Sequence, residues 1–135
     1  MIFKGLEVSV TGMLAERIRM DVVSSNLANV NSTKAENGQP YTRKVPVFEA
    51  VLDKESGLTK VRVKEIKKDT DTPFRMKYDP TNPEADKNGY VKLPNVEPMK
   101  EMVDMMTAIR SYEANLTAFN THKDMLLKSL EILRV

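Results

Sequence analysis

Apolar residues recur at a 3-4 spacing near both ends of the chain and lose that period in the middle. Positions 102, 105, 109, 112, 116, 119, 123, 126, 130 and 133 read Met, Met, Ile, Tyr, Leu, Phe, Lys, Leu, Leu, Leu. Only Lys123 breaks the row, and a seam held over more than four heptads predicts a coiled-coil-like helix. Pro98 suits its first turn, where a missing N–H costs nothing. Glu97, Glu101 and Asp104 near its start and Lys128 and Arg134 near its end complement the helix dipole. The N-terminal positions 3, 6, 10, 13, 17, 20, 24 and 27 read Phe, Leu, Val, Met, Arg, Met, Ser, Leu, a weaker version of the same pattern. Gly5 and Gly12 cost this helix about 1 kcal/mol each relative to Ala. It is expected to fray at its start and to end near the polar run Asn29–Thr33.

The middle holds two strand-like runs, Tyr41–Leu52 and Leu58–Ile66, separated by the turn signal Asp53-Lys-Glu-Ser-Gly57. They predict a hairpin, with Pro46 confining its strand to an edge or a bulge. Residues 69–96, interrupted by Pro73, Pro80, Pro83 and Pro94, read as an extended or looped connector. The chain thus divides into an N-terminal helix (1–30), a β-hairpin and connector insert (31–96) and a long C-terminal helix (97–135).

The predicted fold class is mainly α with a small β-rich insert, the two terminal helices pairing as an antiparallel coiled coil. A helix over 97–134 is about 57 Å long at 1.5 Å per residue. A compact chain of this size has a radius of gyration near ~14 Å, so the molecule is expected to be elongated. Leu14, Ile18, Val22 and Val23 on one helix, and Val103, Met106, Leu127 and Ile132 on the other, lie outside the seam and ask for further partners.

Composition narrows the chemistry. The chain has 135 residues, one domain's worth, with 21 Lys+Arg against 19 Asp+Glu. A net charge of +2 is too balanced for a protein that works mainly by coating a nucleic-acid backbone. No cysteine is present, which removes disulfides, thiolate zinc sites and thiol catalysis. A single histidine, His122, leaves the usual Ser-His and multi-His constellations without members. No apolar run is long enough for a membrane span, and Met1–Gly5 does not open a cleavable signal peptide. Nine methionines and no tryptophan suit adaptable apolar packing, in a core or on a surface.

The candidate sites are weak. Asp79, Glu84, Asp86, Asn88 and Gly89 could suggest a calcium loop, but no glutamate closes it, and these are turn residues. Residues 54–77 hold eight basic and four acidic side chains with only Phe74 and Tyr78 for stacking, which reads as a solvated strand face. A basic binding module for nucleic acid or an anionic surface is the alternative function for this segment. His122 sits one place from the seam with no partner in sequence. Asn31-Ser-Thr33 and Asn115-Leu-Thr117 match a glycan triplet common by chance. No phosphate loop and no nucleophile elbow occurs, so no enzyme and no cofactor is expected.

Three stretches carry a family resemblance. Ser24-Ser-Asn-Leu-Ala-Asn29 is similar to the S-x-N-L-A-N motif that ends the first helix of flagellar axial proteins, the rod, hook and hook-junction subunits. Tyr78-Asp-Pro-Thr-Asn-Pro-Glu-Ala-Asp86 followed by Gly89-Tyr-Val-Lys-Leu-Pro-Asn-Val96 resembles a segment of the proximal rod subunits in that family. Glu101-Met-Val-Asp104, Arg110-Ser-Tyr-Glu-Ala-Asn115 and Lys128-Ser-Leu130 resemble their C-terminal helix. The resemblance implies a subunit of a helical tube in the basal body, lying in the periplasm, that transmits torque and encloses an export channel. It implies delivery by the flagellar type III export apparatus without a cleaved signal. The implied partners are copies of itself, other rod proteins and the adaptor between rod and MS ring, with no nucleic acid and no direct membrane insertion.

The residues expected at assembly interfaces follow from seam and resemblance together. They are Leu6, Val10, Met13, Met20, Asn26, Leu27 and Asn29 in the first helix and its end, and Asp79, Pro80, Pro83, Gly89, Tyr90, Pro94 and Asn95 in the connector. In the last helix they are Met102, Met105, Ile109, Tyr112, Asn115, Leu116, Phe119, Leu126 and Leu130. Helix pairing is expected along Leu6, Val10, Met13, Met20 and Leu27 against Met102, Ile109, Leu116, Phe119 and Leu126. The connector 78–96 is expected to be ordered by neighbours or by the helices, since its few apolar residues cannot offset the ordering entropy of the segment.

Overall fold

The computed structural model describes residues 2–134. Two long helices, α1 (Ile2–Ala28) and α2 (Pro98–Leu133), pack together along their length. Between them in sequence lie two antiparallel hairpins, β1 (Lys44–Leu52) with β2 (Thr59–Lys68), and β3 (Arg75–Tyr78) with β4 (Tyr90–Leu93). Gly5 and Gly12 do not interrupt α1, and α2 starts with Pro98 in its first turn as expected.

The contacts fix the relative direction of the helices. Gly5 lies against His122, Gly12 against Asn115, and Asn26 hydrogen-bonds Glu101. Seven residues forward on α1, from Gly5 to Gly12, match seven back on α2, and the fourteen from Gly12 to Asn26 match fourteen more. In this register Ile2 falls opposite Met125, so the last two turns of α2 run past the start of α1.

The seam matches the predicted one only in part: Leu6, Met13, Met20, Leu27, Phe119 and Leu126 are half-buried. Pairing along Val10, Met102, Ile109 and Leu116 is corrected by their exposure: Ile109 and Leu116 are 40% and 41% accessible, whereas Ala108 is 0%. The pairs that meet across the helices are small or polar, Gly5 with His122, Gly12 with Asn115 and Asn26 with Glu101. Ser9, Ala15 and Ala108 are buried as well, and so are Val22 and Val23, which corrects the expectation that those two valines stay uncovered. Small residues let two helix backbones approach closely. A Cβ at Gly12 would stand 2.7 Å from the Asn115 side chain, and one at Gly5 would stand 2.9 Å from the His122 ring. The glycines counted above as a propensity cost are what this close approach requires.

The first hairpin forms where expected. Its two strands leave both edges free, which suits Pro46, and a bulge falls between Val47 and Phe48. The turn closes through Gly57, at φ +70°, whose N–H donates to the Asp53 carbonyl at 2.8 Å. The hairpin packs on α1. The Val61 N–H donates to Thr11 Oγ1 at 3.4 Å, and Lys60 Nζ reaches Glu7 at 2.6 Å and Asp53 at 3.3 Å.

The connector corrects a second expectation. It contains the hairpin β3–β4, with Tyr78 paired to Tyr90 and their rings edge to face at 5.3 Å. Its long turn is built from Asx caps. Asp86 Oδ1 accepts the N–H groups of Asn88 and Tyr90, Asn82 Oδ1 accepts that of Glu84, and Asp79 Oδ1 accepts the Thr81 hydroxyl. Gly89 sits at φ +85° against Tyr78 and Pro80, where a side chain would be strained. Val91, Pro94, Asn95 and Val96 are buried within the chain.

Candidate functional site

Where helices and insert meet, a buried polar cluster joins them. Asn26 is 1% exposed and uses its whole amide. Its Nδ2 donates to the Lys44 carbonyl at 2.9 Å and to Glu101 Oε2 at 3.2 Å. Its Oδ1 accepts the Lys44 N–H at 3.0 Å and the Tyr41 hydroxyl at 2.9 Å. A helix side chain thus pairs with the first residue of β1 as a neighbouring strand would. Asn95 holds the residue before Lys44 to the second half of the insert: its Oδ1 accepts the Arg43 N–H at 2.7 Å, while Nδ2 donates to the carbonyls of Asp69 and Thr72.

Arg43 lies between these amides. Its Nε donates to the fully buried Glu101, and its other nitrogens reach Asp104 at 3.2 Å and Asp69 at 3.6 Å. Burial opposes the guanidinium charge, but the hydrogen bond to Glu101 and the three carboxylates outweigh it and raise the pKa. Arg75 adds a further tie, donating to the carbonyls of Pro94 at 2.9 Å and Val30 at 3.0 Å. Such a latch holds the helix pair and insert in one arrangement, because freeing any member leaves a buried polar group unpaired.

The predicted site residues divide by location. Asn26 and Asn95 are engaged inside the latch. Asn29 closes the end of α1 locally, with Nδ2 on the Ser25 carbonyl and Oδ1 accepting the Ser32 hydroxyl. Gly89 and Pro94 are buried in the second hairpin and the segment after it, Asp79 is half-buried, and Pro80, Pro83 and Tyr90 face outward. Asn115 faces Gly12. Leu6, Met13, Met20 and Leu27 on α1, with Met105, Tyr112, Phe119 and Leu126 on α2, are half-buried; Val10, Met102, Ile109, Leu116 and Leu130 are exposed. By helical spacing these two sets flank the small-residue seam and form one apolar face across both helices. The overhanging end of α2 continues it with exposed Leu127, Leu130 and Leu133.

Sequence reasoning missed Arg43, Glu101 and the amide roles of Asn26 and Asn95 in joining the insert. The available signal was Glu101, read as a dipole partner and as part of the family-like run Glu101–Asp104 but not as a buried acceptor. No group of metal-ligating side chains occurs among the described residues. Among the described residues no helix is long and apolar enough to cross a membrane. In the basic stretch, Lys60 and Arg62 are paired with acidic neighbours and Arg75 is used in the latch.

Comparison with known proteins matches this sequence to a family. Residues 6–34 match the family described as flagella basal body rod protein, and residues 87–132 match the C-terminal region of the flagellar basal body rod FlgEFG proteins. The chain is 53% identical over 132 residues to the flagellar basal-body rod protein FlgC of Aquifex aeolicus, covering 96% of each. It is 47% identical over 146 residues to FlgC of Bacillus subtilis, covering 96% of this chain and 97% of the relative. It is 40% identical over 126 residues to FlgC of Salmonella typhimurium, covering 93% of each. These matches leave the basic binding module without support. With full-length similarity and both helices inside matched regions, the chain belongs to the FlgC family of flagellar basal-body rod proteins.

Proposed function

We propose that the chain is a structural subunit of the proximal rod, and that the apolar face of its helix pair is where neighbouring subunits pack. The carrying observation is that face. Val10, Met102, Ile109, Leu116 and Leu130 stay exposed after the chain has folded, because small residues rather than these fill its internal seam. Contiguous exposed apolar surface of this extent marks a site that another protein covers.

In this reading the helices pair as an antiparallel coiled coil and stack with those of other copies into a tube around an export channel. Leu6, Met13, Met20, Leu27, Met105, Tyr112, Phe119 and Leu126 form the floor of each contact, and the outward Pro80, Pro83 and Tyr90 of the insert meet a neighbour. The latch through Arg43 and Glu101 keeps insert and helices from turning against each other, as a shaft carrying torque requires. Other rod proteins and the adaptor to the MS ring bound the stack at its ends, and the subunit reaches its periplasmic place through the flagellar export apparatus.

The test is Leu116→Asp in a motile host. The side chain is exposed, so the free subunit keeps its fold, while a carboxylate in an apolar contact is costly. The strain is expected to be non-motile, with the subunit exported but absent from purified basal bodies. Normal swimming would overturn the reading.

A further inference from the structure

Five exposed methionines are not explained by the fold: Met76, Met99, Met102, Met106 and Met125. Three of them share a place. Met99, Met102 and Met106 stand at i, i+3 and i+7 in the first turns of α2, so their side chains lie on one side of the helix. They are 76%, 50% and 55% accessible, and Val103 and Ile109 beside them are exposed too. Met105, on the adjoining face, is half-buried. The chain has no cysteine, so thioethers are its only sulfur groups.

We propose that Met99, Met102 and Met106 form an oxidation site on the free subunit, at which hydrogen peroxide converts thioethers to sulfoxides and blocks packing of this face. The inference rests on the assembly reading for its consequence, but not for the chemistry. The sulfur lone pair attacks one oxygen of the peroxide, forming an S–O bond as the O–O bond breaks. The thioether is oxidised by two electrons, the peroxide is reduced, and the departing hydroxide with the remaining proton leaves as water. The product is polar and chiral where the reactant was apolar and flexible. On a face that neighbours must cover, a sulfoxide has to be buried without a partner.

Position within the patch decides the outcome. Met76 on β3 and Met125, five residues from the apolar Leu130, are as accessible as Met102. They are oxidised at a similar rate, but lie outside the cluster. Subunits already in a rod are protected, because the packing partner covers the sulfurs. Oxidation therefore acts on newly delivered subunits and spares the finished structure.

The experiment treats the full-length purified chain with hydrogen peroxide and follows each methionine by peptide mass spectrometry. In parallel, self-association is measured by sedimentation before treatment, after treatment, and after incubation with a methionine sulfoxide reductase. Met99, Met102 and Met106 are expected to oxidise several-fold faster than Met13, Met20 and Met105. The concentration needed for association is expected to rise by about tenfold or more, a change of about 1.4 kcal/mol, and to return on reduction. Peroxide should not shift the association threshold of the triple variant M99L/M102L/M106L from that variant's own untreated value, whereas the threshold of M76L/M125L should still rise. Equal oxidation rates at exposed and half-buried methionines would overturn the site, and unchanged association after full oxidation would overturn its consequence. If the untreated chain does not associate at any concentration, self-packing through this face is what fails, and the oxidation ranking still decides the site.

Discussion

At the scale of single residues, the chain depends on what is absent at Gly12 and what is buried at Glu101. A side chain at Gly12 meets Asn115, so Gly12→Leu is expected to push the helices apart and lower stability by about 1–3 kcal/mol. Thermal unfolding followed by circular dichroism measures this. Adding Asn115→Ala should recover part of the loss, and strictly additive effects would show that the two positions do not touch. Glu101→Ala removes the acceptor shared by Asn26 and Arg43 and is expected to cost about 3 kcal/mol, near the low end for a broken buried pair because Arg43 retains Asp69 and Asp104. Chemical denaturation reads that value, and a loss below about 1 kcal/mol would mean the latch is not a stabilising unit. Neither role was legible beforehand. A glycine in a helix reads as a propensity cost until its opposite number is known, and a glutamate near a helix start reads as a dipole partner.

At the scale of elements, the helices and the first hairpin were legible because each has a period or a turn signal that survives tertiary packing. The seam was legible only in part. Large apolar residues at 3-4 spacing mark a face that something covers, but they do not say whether that something is in the same chain. Here Gly12 and Asn115 meet across the helices, Val22 and Val23 are buried, and Val10, Met102, Ile109 and Leu116 are left outside. The second hairpin was missed because β3 and β4 have four residues each and lie among prolines. The turn pair Asn88-Gly89 was visible, and so was the alternation of Tyr90, Val91, Lys92 and Leu93. Turns also set the acid response. The Asp53 carboxyl is lowered to about 2, first by the Glu55 N–H, then by the Ser56 hydroxyl, with Lys60 adding to them. Asp69 is lowered by the Thr72 N–H and hydroxyl, Glu7 by Lys60, and Glu84 by Thr33 and Lys34. Each binds its proton less readily folded than unfolded, so its stabilisation is present above the unfolded value and lost as pH falls through the folded one. Stability is therefore expected to hold from neutral pH to about 5 and to decline between about pH 4 and 2. An unfolding midpoint unchanged across that acid window would contradict these assignments.

At the scale of the molecule, a chain of 135 residues keeps an extended apolar face open while locking its insert to its helices through buried amides and charges. Rigidity inside and adhesion outside are thereby assigned to different residues, small and polar between the helices, large and apolar on their flank. The absence of cysteine makes the central claim directly measurable. Leu116→Cys introduces one thiol on the exposed flank of α2, whose labelling by a maleimide can be compared between the free subunit and intact basal bodies. The account predicts rapid labelling of the free subunit and protection in the rod. Equal labelling in both states would contradict the claim that neighbouring subunits cover this face.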